Sequence, residues 1–200
     1  MTRRIVIATG NPGKLREFRH LLAPLGWEAI PQTELNVAPA DEPHPTFLEN
    51  ALAKARHAAS ATGLPALADD SGICAAALHG APGVLSARFA GEPSDDARNN
   101  AELLRRLAGE ADRRAHYTCV LAAVRAADDP EPLIADARWH GVIVDRPRGS
   151  GGFGYDPLFL VGDGNVMAAE LEATHKNSIS HRGMALRALV AALTEPGEGA

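Results

Sequence analysis

Two adjacent carboxylates are candidates for metal binding or acid–base chemistry. Asp69 and Asp70 follow a short apolar run, residues 65–68, and precede Ser71-Gly72. The apolar run predicts a strand that stops at these carboxylates, and strand could continue at residues 74–78. Carboxylates at the end of a strand lie where α/β proteins usually hold their functional groups. Two like charges this close are unfavourable without a cation or a proton, and Mg²⁺ held by carboxylates and substrate phosphates would relieve them. A solvated acidic turn is the alternative, and Asp41-Glu42 could supply another carboxylate.

A glycine-containing loop near the N-terminus is suited to binding an anion. The apolar run 4–9 ends in Gly-Asn-Pro-Gly and leads through Lys14 into a helical pattern. Glycines let backbone N–H groups approach an anion, and the helix adds the positive end of its dipole. The standard P-loop spacing is absent, so an ordinary turn capped by Asn11 is the alternative. The loop comprises Thr9, Gly10, Asn11, Pro12, Gly13 and Lys14.

A second glycine-rich segment, residues 150–157, carries two of the few aromatic residues. Phe153 and Tyr155 lie on either side of Gly154 and precede Asp156. A ring beside flexible backbone favours stacking on a planar base, with polar groups selecting at the edge of that base. The alternative is a hydrophobic turn with Phe153 in the core.

A basic segment precedes the last predicted helix. Lys176, His181 and Arg182 lie within seven residues of one another. Cationic donors at the positive end of a helix favour binding of an anion or a carbonyl group. The alternative is that Ser180 caps the helix and its basic neighbours are solvated.

Lysine is rare in this chain and occurs only beside these motifs. Three of the 20 basic residues are lysines, and the others are arginines. Lys14 and Lys176 belong to the loops above, and Lys54 shares the polar face of a predicted helix with Asn50 and His57. A compact ammonium is a usual partner for phosphate in a tight loop. The layout therefore predicts a site for a metal-bound polyphosphate.

The elements that position these motifs alternate between strands and helices. This order predicts an α/β fold with a mixed sheet. A capping box at Thr46–Glu49 predicts a helix start, and the two long strands after residue 115 are expected to pair antiparallel. Strands are predicted at residues 4–9, 27–31, 65–68, 116–126, 133–144 and 158–161, and helices at 14–25, 47–62, 183–194 and from a cap at Ser94 to 108.

Length and composition fit one domain over residues 1–200, with a frayed tail at 195–200. Aromatics are only 4% of the chain, which predicts an aliphatic, alanine-rich core. The net charge of −5 argues against a nucleic-acid binder, and the absence of a long apolar run argues against a membrane protein. Cys74 and Cys119 show neither metal-ligand spacing nor a disulfide framework, which favours a reducing cytoplasm.

Six segments resemble motifs of the non-canonical purine nucleoside triphosphate pyrophosphatases, the inosine/xanthosine triphosphate pyrophosphatases that cleanse nucleotide pools. They span nearly the whole chain in order. The segments are 8–14 (Ala-Thr-Gly-Asn-Pro-Gly-Lys), 46–51 (Thr-Phe-Leu-Glu-Asn-Ala), 68–72 (Ala-Asp-Asp-Ser-Gly), 80–88 (Gly-Ala-Pro-Gly-Val-Leu-Ser-Ala-Arg), 151–157 (Gly-Gly-Phe-Gly-Tyr-Asp-Pro) and 180–183 (Ser-His-Arg-Gly).

The resemblance implies an elongated α/β fold, in which helices flank a mixed central sheet and the active-site cleft lies between two lobes. It implies a cytoplasmic homodimer that uses Mg²⁺ to hydrolyse ITP, dITP or XTP to the nucleoside monophosphate and pyrophosphate. A pyrophosphatase for another modified nucleotide and a non-catalytic nucleotide-binding protein are the alternatives.

The resemblance also implies a role for each motif. Asp70 would be the general base, and Thr9 to Lys14 would hold the triphosphate. The metal would lie among Glu42, Asp69 and Asp70. The remaining residues expected to bind the nucleotide are Lys54, Ser71, Phe153, Gly154, Tyr155, Asp156, Lys176, His181 and Arg182.

Overall fold

A six-stranded mixed β-sheet organises the structure, a computed structural model that describes residues 3–162 and 164–194. The strands lie in the order β2-β1-β3-β4-β5-β6. β1 pairs in parallel with β2 and β3, and β5 pairs antiparallel with β6, so the predicted mixed sheet is confirmed. The strands are β1 (Arg3–Ala8), β2 (Trp27–Pro31), β3 (Ala66–Ala75), β4 (Arg114–Val124), β5 (Leu133–Ile143) and β6 (Phe159–Val161).

Five α-helices in the described part of the chain flank this sheet. Within those residues no helix combines the length and apolarity that crossing a bilayer requires. The helices are α1 (Pro12–Leu22), α2 (Phe47–Thr62), α3 (Asp96–Arg106), α4 (Ala173–Ile179) and α5 (His181–Thr194).

The chain divides into two compact units. Within the described residues, unit 1 consists of 3–70, 120–136 and 182–194, and unit 2 consists of 71–119, 137–162 and 164–181. Unit 1 therefore contains β1, β2, α1 and α2, and unit 2 contains α3, β6 and α4.

The core of unit 1 confirms the predicted alanine-rich packing. Small side chains of α2 lie against β1, the first half of β3 and the second half of β4. The predicted start of α2 is also confirmed, since Thr46 is its N-cap and the Thr46 hydroxyl oxygen accepts from the Glu49 N–H at 3.2 Å. The fully or nearly buried members of this core include Val6, Ala8, Ala51, Ala55, Ala58, Ala59, Ala66, Ala68, Val120, Ala122 and Val124.

One strand is continuous where the sequence predicted an interruption. We expected an apolar strand to stop at Asp69 and strand to continue at residues 74–78, but β3 runs through both carboxylates and ends at Ala75. Gly72 allows this, because a Cβ at that position would lie 2.4 Å from the Gly83 carbonyl oxygen. The Ser86 hydroxyl then accepts from the Ile73 N–H at 2.9 Å. A neighbouring segment of unit 2 therefore holds the strand past its acidic residues.

Three helix starts and one whole helix also differ from the predictions. α1 begins at Pro12 and not at Lys14. α3 is capped by Asp95 and not by Ser94, because the Asp95 carboxylate accepts from the Arg98 N–H at 2.7 Å. α5 begins at His181, directly after Ser180, and not at Gly183. The seven-residue α4 was not predicted. The predicted frayed tail, residues 195–200, lies outside the described residues.

Candidate active site

Asp69 and Asp70 are the buried acidic residues of β3, at 2% and 5% exposure. Successive residues of a strand present their side chains to opposite faces of the sheet. The contacts follow this rule, since Asp69 binds Lys14 and Arg182, and Asp70 binds Lys54. The negative charges of the two carboxylates therefore do not have to be neutralised by one shared cation. Each has its own cationic partners.

The Asp69 group joins β3 to α1 and α5. Lys14 donates to one oxygen of Asp69, and the Arg182 Nε donates to the other at 2.7 Å. A terminal nitrogen of Arg182 also donates to Glu17 at 2.6 Å. Burial alone would raise the pKa of Asp69, but Arg182 and Lys14 hold this pKa well below its ordinary value of 3.8. Two acidic residues thus fix the position of a guanidinium that is only 3% exposed.

The Asp70 group joins β3 to α2 and to the acidic loop before α2. Lys54 Nζ donates to Asp70 at 2.9 Å and to Glu42 at 2.7 Å. Burial raises the pKa of Asp70 above its ordinary value of 3.8, although the attraction of Lys54 opposes this. Burial would lower the pKa of Lys54, but the two carboxylates raise it above 10.5. A carboxylate with a raised pKa is the better proton acceptor, as a general base requires.

Asn50 ties the acidic loop to Asp70. Its carbonyl oxygen accepts from the His44 N–H at 3.0 Å, and its amide nitrogen donates to the His44 carbonyl at 3.1 Å and to Asp70 at 3.3 Å. A backbone N–H can only donate, so these bonds fix the orientation of the amide. The loop is held so that Glu42, and not the exposed Asp41, contacts Lys54.

Glu42 and Asp70 are the candidate donors for a divalent cation. Within residues 3–162 and 164–194, no three His, Cys, Asp or Glu side chains are arranged to hold a metal. Mg²⁺, however, is usually held by one or two carboxylates together with substrate phosphates. Glu42 and Asp70 meet at Lys54 and fit that pattern. Asp69 has a cationic donor on each oxygen, and its role as a ligand stays a prediction.

The loop from Thr9 to Lys14 contains the turn capped by Asn11 that the sequence offered as the alternative to an anion site. The Asn11 side-chain oxygen accepts from the N–H groups of Gly13 and Lys14, at 2.8 and 3.1 Å, and Thr9 accepts from the Asn11 N–H at 3.1 Å. Asn11 thereby uses two of the N–H groups that we expected an anion to contact. The loop brings the Lys14 ammonium to Asp69. Binding of a triphosphate by this loop stays a prediction.

In unit 2, Asp156 is a buried acceptor for three donors, at 2% exposure. One oxygen accepts from the Phe153 N–H at 2.9 Å and from Lys176, and the other accepts from the Tyr117 hydroxyl at 3.3 Å. Gly152 is required here, because its φ is +73° and a Cβ would lie 2.0 Å from Asp156 Oδ2. The hydrogen bonds to the buried Asp156 carboxylate therefore stabilise the conformation of the loop.

Phe153 is half-buried and does not lie in the core, contrary to the hydrophobic-turn alternative. Lys176 Nζ lies 4.9 Å from the centre of the Phe153 ring, within the range of a cation–π interaction. Lys176 itself is 7% exposed. The pair thus combines an accessible ring edge or face with a fixed positive charge.

The backbone of the same loop is held by α3. Asp96 accepts from the Gly154 N–H at 2.7 Å, and Asn100 donates to the Gly154 carbonyl at 2.9 Å. The Tyr155 hydroxyl donates to the Ser86 carbonyl at 2.8 Å, and burial together with the Asp96 charge raises the pKa of Tyr155. Substrate contact by Gly154 and Tyr155 stays a prediction.

His181 opens α5 and packs among the aromatic residues of unit 2. Its ring stacks on Tyr117, with centroids 4.7 Å apart and planes 7° apart. His181 is directly followed by Arg182, which belongs to the Asp69 group. Ser71 directly follows Asp70 and is half-buried.

Three residues in these groups were not predicted as site residues. Asn50 precedes Lys54 by four positions on α2, and the sequence placed the two on one polar face without assigning Asn50 to the site. Glu17 follows Lys14 by three positions on α1, so helical spacing could have indicated it as well. Tyr117 lies in β4, and no spacing connects it with its partners.

Comparison with known proteins finds relatives that match nearly the whole chain. The model of the Ham1 family matches residues 5–192. A protein of Aromatoleum aromaticum named dITP/XTP pyrophosphatase is 63% identical over 194 residues, which cover 97% of this chain and 98% of that protein. A protein of the same name from Ralstonia nicotianae is 63% identical over 191 residues, 94% of this chain and 95% of that protein. The solved structure of a HAM1 protein from Coxiella burnetii matches with a TM-score of 0.91 at 49% identity, covering 97% and 100% of the two chains.

Proposed function

The chain belongs to the Ham1 family, and on this premise we propose that it hydrolyses dITP, ITP and XTP to the monophosphate and pyrophosphate. The observation that carries the proposal is the Asp70 group, in which two carboxylates from different elements meet at one buried lysine. A protein that only binds a nucleotide gains nothing from buried carboxylates, because they repel the triphosphate. A metal-assisted hydrolysis needs carboxylates to bind the cation and to accept a proton from water.

In the proposed reaction, Asp70 accepts a proton from the water that attacks the α-phosphorus. The new bond joins the water oxygen to that phosphorus, and the bond from the phosphorus to the bridging oxygen of pyrophosphate breaks. Lys54 holds the Asp70 carboxylate in one orientation, and Lys14 supplies positive charge for the leaving group. Mg²⁺ bound by Glu42 and Asp70 would neutralise charge on the phosphate oxygens.

We propose that the residues of the N-terminal loop, Thr9 to Lys14, hold the triphosphate, and that Ser71 contacts the substrate. The two N–H donors of the Asn11 amide could serve the phosphates, because the oxygen of that amide caps α1.

The unit 2 loop is assigned to the nucleoside. Phe153 would stack on the base, with Lys176 beside it, while Asp156 holds both. The energy of stacking depends little on which base is stacked. Selection therefore requires hydrogen-bond donors that the correct base satisfies and the wrong base leaves unpaired. We assign this reading of the 6-keto group to His181 and Arg182. Two carboxylates orient the Arg182 guanidinium.

The test is a panel of triphosphates with detection of pyrophosphate and of orthophosphate. We expect pyrophosphate from dITP, ITP and XTP, much less from dATP and dGTP, and no turnover after chelation of Mg²⁺. Preference for a modified pyrimidine would favour the first alternative, and binding without turnover would favour a nucleotide-binding protein.

Two neighbouring acids provide a matched pair for this test. Glu42→Gln should weaken activation by Mg²⁺, because Glu42 contacts Lys54 beside Asp70. Asp41→Asn removes the same charge from the exposed neighbouring position and should retain activation. We also propose a cytoplasmic homodimer, which light scattering of the purified protein would test.

A further inference from the structure

Tyr117 connects two parts of the unit 2 site that are far apart in the sequence. It lies in β4 at 7% exposure. Its ring contacts His181, and its hydroxyl contacts Asp156. Each of these neighbours was predicted from the sequence as a site residue, whereas Tyr117 was not.

The ring of Tyr117 determines the plane of the His181 ring. The two rings are nearly parallel, with their centroids 4.7 Å apart. Two further aromatic rings pack against Tyr117. The Phe159 ring meets it edge-on, with the ring centroids 4.8 Å apart, and the centroid of the Trp139 ring lies 6.2 Å from that of Tyr117. Both rings are almost completely buried, so rotation of His181 would require Tyr117 to move.

The hydroxyl of Tyr117 determines the orientation of Asp156. It donates to one carboxylate oxygen at 3.3 Å, while Phe153 and Lys176 donate to the other. With donors on both oxygens, the plane of the carboxylate is fixed. Loss of the hydroxyl would leave a buried oxygen of Asp156 without this donor and would free the carboxylate to rotate, and Lys176 with it.

We propose that Tyr117 is a positioning residue for recognition of the purine base. It orients His181 through its ring, and Lys176 and Phe153 through its hydroxyl and Asp156. This inference rests on the proposed function, because it assigns a role in binding the nucleoside. It does not involve the carboxylates of unit 1, so its effect falls on substrate binding and base selection more than on the rate of the chemical step.

The test separates the two contacts of Tyr117. Tyr117→Phe keeps the stacked ring and removes the hydroxyl, and we expect KM for dITP to rise about 3- to 10-fold with little change in kcat. Tyr117→Leu removes the aromatic stack as well. It should lower the ratio of kcat/KM for dITP to that for dATP by about tenfold.

Thr118→Val is the matched control. Thr118 is the next residue of β4, is equally buried at 7% exposure, and has a hydroxyl that contacts Cys74 on the opposite face. This variant should keep the KM and the selectivity of the wild type. Melting temperatures of all three variants report any general loss of stability. If Tyr117→Leu does not fold, Tyr117→Phe alone still tests the hydroxyl contact.

A double variant adds a readout that a merely structural tyrosine would not change. Lys176→Met removes the ammonium that Asp156 holds, so adding Tyr117→Phe to it should raise KM much less than in the wild type. Equal effects in both backgrounds, or equal KM values for Tyr117→Phe and Thr118→Val, would overturn the inference while the proposed function stands. A wild-type protein that cleaves none of the triphosphates overturns both.

Discussion

Replacement of Arg182 by methionine should destabilise the protein strongly, although the side chain lies in a proposed substrate site. Arg182 is 3% exposed and donates to Asp69 at 2.7 Å and to Glu17 at 2.6 Å. Methionine keeps the apolar stem but leaves two acidic partners without this cation. Removing one partner of a buried ion pair typically lowers the free energy of unfolding by about 3–5 kcal/mol. For a chain of this length, that corresponds to a fall in melting temperature of about 6–20 °C.

The assay is thermal and urea denaturation beside Arg114→Met. Arg114 also pairs with an aspartate through two nitrogens, Asp112, but its side chain is 78% exposed. Exposed ion pairs are screened by water and salt, so this control should lose far less stability than the Arg182 variant. Similar small losses in the two variants would refute the reasoning that burial makes Arg182 structurally essential.

The pH dependence provides a second check on the same variant. Arg182 helps to hold the pKa of Asp69 well below 3.8, so it stabilises the fold above that pH, where the unfolded chain is ionised. The benefit is lost as the pH falls through the lowered pKa of the folded state. The stability difference between wild type and Arg182→Met should therefore be largest above pH 4 and should shrink below it. A difference that grows on acidification would contradict the ion-pair explanation.

Three further variants test the Asp70 group. Asp70→Asn should abolish pyrophosphate release while dITP binding and the melting temperature stay close to the wild type, and residual turnover near the wild-type rate would exclude Asp70 as the base. Lys54→Met should raise the pKa of Asp70, because the attraction of Lys54 lowers that pKa. The acid limb of the profile of kcat/KM against pH should therefore move to higher pH, and an unchanged limb would contradict this. Asn50→Ala and Asn99→Ala each remove a buried amide that holds a loop through one accepted and one donated backbone bond, and each should lose about 1–3 kcal/mol of stability. Only Asn50→Ala should also lower kcat, since only Asn50 donates to Asp70.

Local sequence signals predicted the elements that local interactions determine. β2 was predicted with its observed bounds, and α2 was predicted from its cap and its apolar spacing. The passage of β3 through Asp69 and Asp70 was not predicted, because the cations that neutralise Asp69 come from Lys14 and Arg182, at opposite ends of the chain. A strand with two buried carboxylates looks unfavourable until those distant partners are in place.

The structure gives each of the three lysines a buried aspartate as its partner: Lys14 binds Asp69, Lys54 binds Asp70 and Lys176 binds Asp156. That they mark a site for a metal-bound polyphosphate stays a prediction. The pairing itself could not be predicted, because helical and strand spacing within one segment says nothing about contacts between segments. Each lysine therefore neutralises a buried carboxylate within the fold, and this role is separate from any contact with a phosphate.

The charges of the two unit 1 groups explain why a metal and the substrate are expected together. Lys14 and Arg182 balance Asp69 and Glu17, so that group is neutral when its members are ionised. The second group has two carboxylates and only Lys54, so it carries one net negative charge. A free triphosphate would be repelled by that charge, whereas a divalent cation is attracted by it and can hold phosphate oxygens in turn. Because the excess charge lies on Asp70 and Glu42, the proposed general base is also where the cation would be bound. Removal of Mg²⁺ should therefore weaken triphosphate binding as well as turnover.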